Sequence, residues 1–152
     1  MEPRMKQPVA ALPGAMQAMM GLIDAVAKSG LDDKIKMLVD LRASQINGCA
    51  FCVDMHAKEM KAAGESDERI FSVVAWRETA FYTEAERVAL EMTEVVTRMA
   101  DKPDPVSDEL WARAEALFDE RQMAGLLVAI ATINIWNRVN VATRQPPGIP
   151  HT

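Results

Sequence analysis

Asn47-Gly48-Cys49-Ala50-Phe51-Cys52-Val53-Asp54-Met55-His56 stops one helix and opens the next with a pair of cysteines. Asn47-Gly48 is a helix terminator, because glycine enters the left-handed backbone region without a steric penalty. The residues that follow have helix-forming composition and meet no further breaker until Gly64. The spacing predicts a helix from Cys49 or Ala50 to Ala63, with Cys49 at or just before its N-terminus and Cys52 in its first turn. Cys49, Cys52 and His56 are then spaced i, i+3, i+7 and share one helix face.

The flanking sequence is helical throughout. Gly14 to Lys28 reads as a first helix ended by Ser29-Gly30. Asp32 caps a second, whose apolar face is Ile35, Leu38, Val39, Leu41 and Ile46. Ser66 caps a fourth helix that has Ile70, Val73, Val74 and Trp76 to bury. Thr83 and Glu86 match the capping-box pattern and open a fifth, with Val88, Ala89, Met92, Val95, Val96 and Met99 on one stripe. Lys102-Pro103-Asp104-Pro105 is a rigid turn. Ser107 caps a sixth helix through Phe118. A seventh runs from about Glu120 to Val141 and is apolar nearly all round between Gly125 and Ile135, as befits a helix central in a bundle or buried between subunits. Gln145 to Pro150 reads as an extended Pro-rich tail. The expectation is one all-α domain over residues 1–152, a bundle of six to seven helices with its core at about 12–142 and a tail at 143–152.

Composition narrows the function classes. A chain of 152 residues buries enough surface to hold a core without metal or disulfide staples, so a stapling role for the cysteines is not required. Net charge is −5 with a pI near 5.1, and the basic residues are scattered, which gives no nucleic-acid footprint. The amino terminus lacks the apolar region and cleavage site of a signal peptide. The longest apolar run, Gly125 to Ile133, is short of a membrane span. A cytoplasmic location is expected, where a lone cysteine pair is more often catalytic or redox-sensing than structural.

The chemistry expected of the pair follows from its place. Free N–H groups and the positive end of the helix dipole favour thiolate, and in such settings a cysteine pKa falls from about 8.5 to about 3.5–7.5. His56, one turn after Cys52, is placed to hydrogen-bond it, take its proton or stabilise its thiolate. Small buried hydrophobes are the bland reading of the two cysteines. A zinc site lacks a clear fourth ligand, the other histidine being His151 in the tail. Haem attachment needs histidine directly after the second cysteine, where Val53 stands. The eleven methionines read as core and interface filling. Trp76, Phe81, Tyr82 and Trp136 are assigned to core or interface ahead of a substrate pocket. Asn134, Asn137 and Arg138 are expected to tie helices or subunits together.

Arg42 to His56 resembles the core signature of the alkylhydroperoxidase D-like family, in the carboxymuconolactone decarboxylase superfamily. The likeness continues through Ala75-Trp76-Arg77-Glu78-Thr79, Phe81 to Arg87 and Asn134-Ile135-Trp136-Asn137-Arg138, and covers most of residues 12–148. The resemblance implies an all-helical subunit of a homo-trimer or homo-hexamer and a thiol-dependent peroxidase with no bound cofactor or metal. It maps hydroperoxide attack onto Cys52, disulfide formation onto Cys49, and the proton-relay histidine onto His56. It also implies an external dithiol reductant, a lipoyl-bearing or thioredoxin-like protein. The family's relay glutamate, twelve residues before the first cysteine, falls on Met37, which carries no proton. Asp40 and Asp33 lie one turn to either side. The expectation is activation by the helix terminus and His56 alone, and weaker peroxide turnover than a full-relay member or a different natural oxidant. Two other functions are compatible with the superfamily: a decarboxylase-like lyase, whose members typically lack this CxxC, and a non-enzymatic redox-responsive oligomer.

Overall fold

The computed structural model describes residues 2–148; His151 and the end of the tail lie outside them. Seven α-helices account for the described fold: α1 Ala15–Ala27, α2 Asp33–Asn47, α3 Ala50–Ala62, α4 Asp67–Ser72, α5 Glu84–Thr97, α6 Asp108–Glu115 and α7 Glu120–Thr143. Local chemistry sets their starts. Asp32, Ser66, Thr83 and Ser107 each accept a backbone N–H in the first turn, and Thr83–Glu86 forms the reciprocal capping box. Asp119 and Gln122 make a second such box at the start of α7.

The second helix is the pillar of the bundle, packed against α3, α5 and α7. Seven consecutive residues, Leu38 to Ser44, are buried, so Asp40, Arg42 and Ser44 go inside with the apolar ones. Two apolar clusters flank it. One joins Val26, Ile35, Val39, Val88, Met92, Leu126 and Ile130; the other joins Leu38, Leu41, Met60, Val73, Trp76 and Leu90. Arg42 is held by Glu94 on α5 (Nε···Oε1 2.7 Å), which also accepts from Trp76 Nε1 (2.9 Å) and Arg77 Nη1 (2.5 Å). Gly125 lets α7 approach the end of α1, where a Cβ would overlap the Ser29 hydroxyl.

Some sequence expectations shift. The fourth helix stops at Ser72 and tightens into a 3-10 segment, Val73–Glu78, with Ala75 off the helical conformation. The tighter winding puts Val73 and Trp76 inside and leaves Val74 exposed. Met99 falls beyond the end of α5 in a short 3-10 turn and is exposed rather than continuing the apolar stripe. The sixth helix ends at Glu115, yet Phe118 still packs in the first cluster. The last helix is long and apolar enough, by length and composition alone, to cross a membrane, although no single apolar run is; half of that window is buried in this fold. After α7 the chain doubles back, with the Gly148 N–H donating to Asp54 on α3 (3.0 Å).

Candidate functional site

The dithiol is built by a helix-to-helix junction with no spare residue. At the end of α2 the Gly48 N–H donates to Gln45 O (3.3 Å) and the Cys49 N–H to Ser44 O (3.0 Å). Gly48 sits at φ +66°, the left-handed geometry that closes this pair of bonds. Cys49 is thereby delivered directly as the N-cap of α3. Its sulfur accepts the Cys52 N–H (3.4 Å), the place a serine or aspartate oxygen fills in an ordinary cap.

Both cysteines are free thiols and both are buried. They differ in what they face. Cys52 lies on the wall of a cavity of about 450 Å³, whereas Cys49 sits behind it and does not line that space. Apolar side chains of α1 (Met16, Met20, Ile23) and α7 (Ile133, Trp136) form much of the wall, and Phe51 and Met55 extend it from α3. Polar groups enter from α2 (Lys36, Asp40), α3 (His56, Glu59) and α7 (Thr132, Asn140).

The electrostatics separate the two thiols. The Cys49 S–H donates to the Cys52 sulfur, which is the main reason the Cys52 pKa falls to about 6 in spite of burial. Asn140 Nδ2 donates to the same sulfur (3.4 Å), Asn137 adds to the effect, and the charge of His56 works in the same direction. Cys49 moves the opposite way, held protonated first by donating to Cys52 and then by burial. The site therefore carries one thiolate and one thiol in hydrogen-bond contact, with the thiolate on the cavity side.

His56 is buried one turn below Cys52, as the i, i+4 spacing predicts. Its Nδ1 pairs with Glu59 Oε2 at 2.8 Å. Its Nε2 and the hydroxyl of Thr132, both from residues lining the cavity, are buried without a hydrogen-bond partner. Met37 is turned into the second apolar cluster with Val53 and Ala57 and does not line the cavity. Asp40 does reach the cavity wall, ion-paired to Lys36 (2.5 Å), while Asp33 is exposed in the first turn of α2. Among the described residues no group of three or more histidine, cysteine or acidic side chains is placed to hold a metal ion.

Asparagines that sequence reading left unlinked to the dithiol turn out to frame it. Asn47 Nδ2 bridges Asn134 Oδ1 (3.0 Å) and Asn137 Oδ1 (2.9 Å), and Asn137 Nδ2 donates to Ser44 Oγ (3.0 Å). This network ties α7 to the α2–α3 junction and fixes Asn137 beside the dithiol, while Asn140, one turn further along α7, bonds Cys52 directly. Sequence reading passed over Asn140, Glu59 and Thr132. Asn134, Asn137 and Asn140 recur every three residues on a largely apolar helix, and that spacing was the available signal. Of the four aromatics, Trp136 lines the cavity and Trp76 and Tyr82 are buried in the second cluster, while Phe81 is exposed.

Known proteins are similar to this chain in sequence and in fold. The family model for the carboxymuconolactone decarboxylase family matches residues 13–95, which span α1 to most of α5. The uncharacterized protein YdfG of Bacillus subtilis (strain 168) is 38% identical over 130 residues, 86% of this chain and 87% of its own. The alkyl hydroperoxide reductase AhpD of Bradyrhizobium diazoefficiens is 35% identical over a shorter stretch of 69 residues, 45% of this chain and 36% of that protein. A crystal structure of a protein of unknown function from Agrobacterium tumefaciens, proposed as an antioxidant defence protein AhpD, superposes with a TM-score of 0.89 at 38% identity over 98% of this chain and 100% of that one. This chain belongs to the carboxymuconolactone decarboxylase family and has its AhpD-like, all-helical form.

Proposed function

We propose that the protein is a thiol-dependent peroxidase that reduces hydroperoxides through Cys52 and Cys49, with His56 moving the proton. The observation that carries this reading is the asymmetry of the pair: a low-pKa Cys52 on the cavity wall, backed by a protonated Cys49 within hydrogen-bond contact. The Cys52 thiolate attacks the terminal oxygen of the hydroperoxide, the O–O bond breaks, and the sulfur becomes a sulfenic acid. The leaving alkoxide takes a proton from His56 and departs as the alcohol. The Cys49 sulfur then displaces the hydroxyl of the sulfenic acid, its own proton leaves with that hydroxyl as water, and the disulfide forms. The sum is two thiols and one hydroperoxide giving one disulfide, one alcohol and one water.

Regeneration needs two electrons from outside, and a dithiol donor such as a lipoyl-bearing or thioredoxin-like protein is the chemistry that returns them by exchange. Self-association is part of the same proposal. Met16, Met20 and Leu22 on α1 and Ile135 and Val141 on α7 are exposed apolar side chains in the single chain. Light scattering at micromolar concentration tests it, and a monomer would contradict it. A decarboxylase-like lyase would leave the dithiol without a task.

The peroxidase proposal is tested by counting free thiols after adding hydrogen peroxide or an organic hydroperoxide to the reduced protein. Loss of two thiols per chain, abolished in Cys52→Ser, is expected. Thiols that persist in modest peroxide excess would contradict it.

A further inference from the structure

We infer that Glu59 is the carboxylate that positions and serves His56 in this protein. The inference rests on the peroxidase reading of the site and extends it to a residue one turn further along α3. Glu59 Oε2 lies 2.8 Å from His56 Nδ1, across the i, i+3 spacing that brings side chains together on a helix. A carboxylate accepts only, so this contact fixes the tautomer: the proton sits on Nδ1 and points at Glu59. The other nitrogen, Nε2, is left buried, without a partner, on a residue that lines the cavity beside Cys52. A histidine so held resembles the base of a catalytic triad, where a third group orients the ring and stabilises its charged form.

The nitrogen left to take or give a proton is then Nε2. Around the cavity the charged and titratable groups are Lys36 and Asp40 from α2 and Cys52 and Glu59 from α3; α1 and α7 contribute none. Lys36 and Asp40 are engaged with each other, and the carboxylate in contact with the ring is that of Glu59. Half of the Glu59 side chain is exposed, so it can be changed without opening the core.

The test uses Glu59→Gln, with Glu59→Ala and Asp40→Asn beside it, all compared with the wild-type protein. Two quantities are read: the rate of hydroperoxide-driven thiol loss, and the tautomer of the His56 ring by nitrogen NMR. In wild type the neutral ring should carry its proton on Nδ1. In Glu59→Ala that preference should be lost and the rate should fall by about tenfold, with circular dichroism retained. Glu59→Gln keeps an oxygen that accepts from Nδ1 and should fall less. Asp40→Asn should reproduce neither change. If wild type reacts and neither quantity changes in Glu59→Ala, the role of Glu59 is overturned while the peroxidase stands. A change seen in Asp40→Asn and not in the Glu59 variants would equally overturn it. If the tautomer changes but wild type does not react with hydroperoxide, the peroxidase reading fails and the relay role falls with it.

Discussion

Asn140 Nδ2 donates a hydrogen bond to Cys52 Sγ across 3.4 Å, joining the end of α7 to the first turn of α3. The amide is a fixed dipole aimed at a sulfur that carries charge, and burial removes the water that would otherwise compete. Replacing Asn140 by leucine should raise the thiolate titration of Cys52 above about 6, by roughly one unit. Peroxide-driven thiol loss at mildly acidic pH should slow accordingly. Ultraviolet thiolate absorbance against pH measures the first quantity directly; an unchanged titration would mean that Asn140 only packs.

The thiolate also couples folding to pH. Cys52 titrates near 6 in the folded chain against an ordinary value of 9.0, so between those values the unfolded chain binds more protons than the folded one. Its contribution is complete above the unfolded value and is lost as pH falls through about 6. Stability of the reduced protein should therefore rise from pH 6 toward pH 9, relative to Cys52→Ser. Thermal melts of the two proteins across that range test the difference; parallel curves would rule out the coupling.

Glu94 is the most heavily engaged buried carboxylate, taking Arg42, Trp76 and Arg77 at once. These partners hold its pKa down although burial opposes this. Glu94→Ala would strand the buried Arg42 guanidinium and leave the Trp76 N–H unpaired, at a cost of about 3–5 kcal/mol. Urea midpoints would register that loss. A change of a few tenths would show that solvent reaches the cluster and replaces the lost acceptor.

Two glycines are under different constraints. Gly48 holds φ +66° with open space around it, so alanine there should cost about 1–2 kcal/mol through backbone strain alone. Gly125 is helical, and alanine there meets the Ser29 side chain, at a similar or larger cost of about 1–3 kcal/mol through overpacking. Gly48→Ala should also loosen Cys49, visible as faster alkylation of the thiols. Equal alkylation rates in both variants would separate the Gly48 turn from the dithiol.

The parts of the fold legible in sequence are those set within a few residues. Asp32, Ser66, Thr83 and Ser107 mark helix starts because a cap bonds to backbone only two or three positions away. Cys49, Cys52 and His56 share a face for the same reason. The asparagine network was hidden because its bonds cross 87 to 93 residues of chain. The bend at Ala75 was hidden too, since nothing in Val73–Glu78 breaks a helix by composition and tertiary packing sets the tighter winding. Glu59 is a different case: its i+3 spacing from His56 is local, but an acidic residue at that spacing on a half-exposed helix face is as often a solvated charge as a partner.

Trapping the first oxidation product tests the dithiol mechanism most directly. Cys49→Ser removes the resolving thiol, so the sulfenic acid formed by hydroperoxide should persist and be captured by a 1,3-dicarbonyl reagent. Mass spectrometry of the digested protein should then place the adduct on Cys52, with none formed in Cys52→Ser. Hydroperoxide treatment of Cys49→Ser that leaves Cys52 as an unmodified thiol, or an adduct on Cys49 in Cys52→Ser at the wild-type rate, would contradict it.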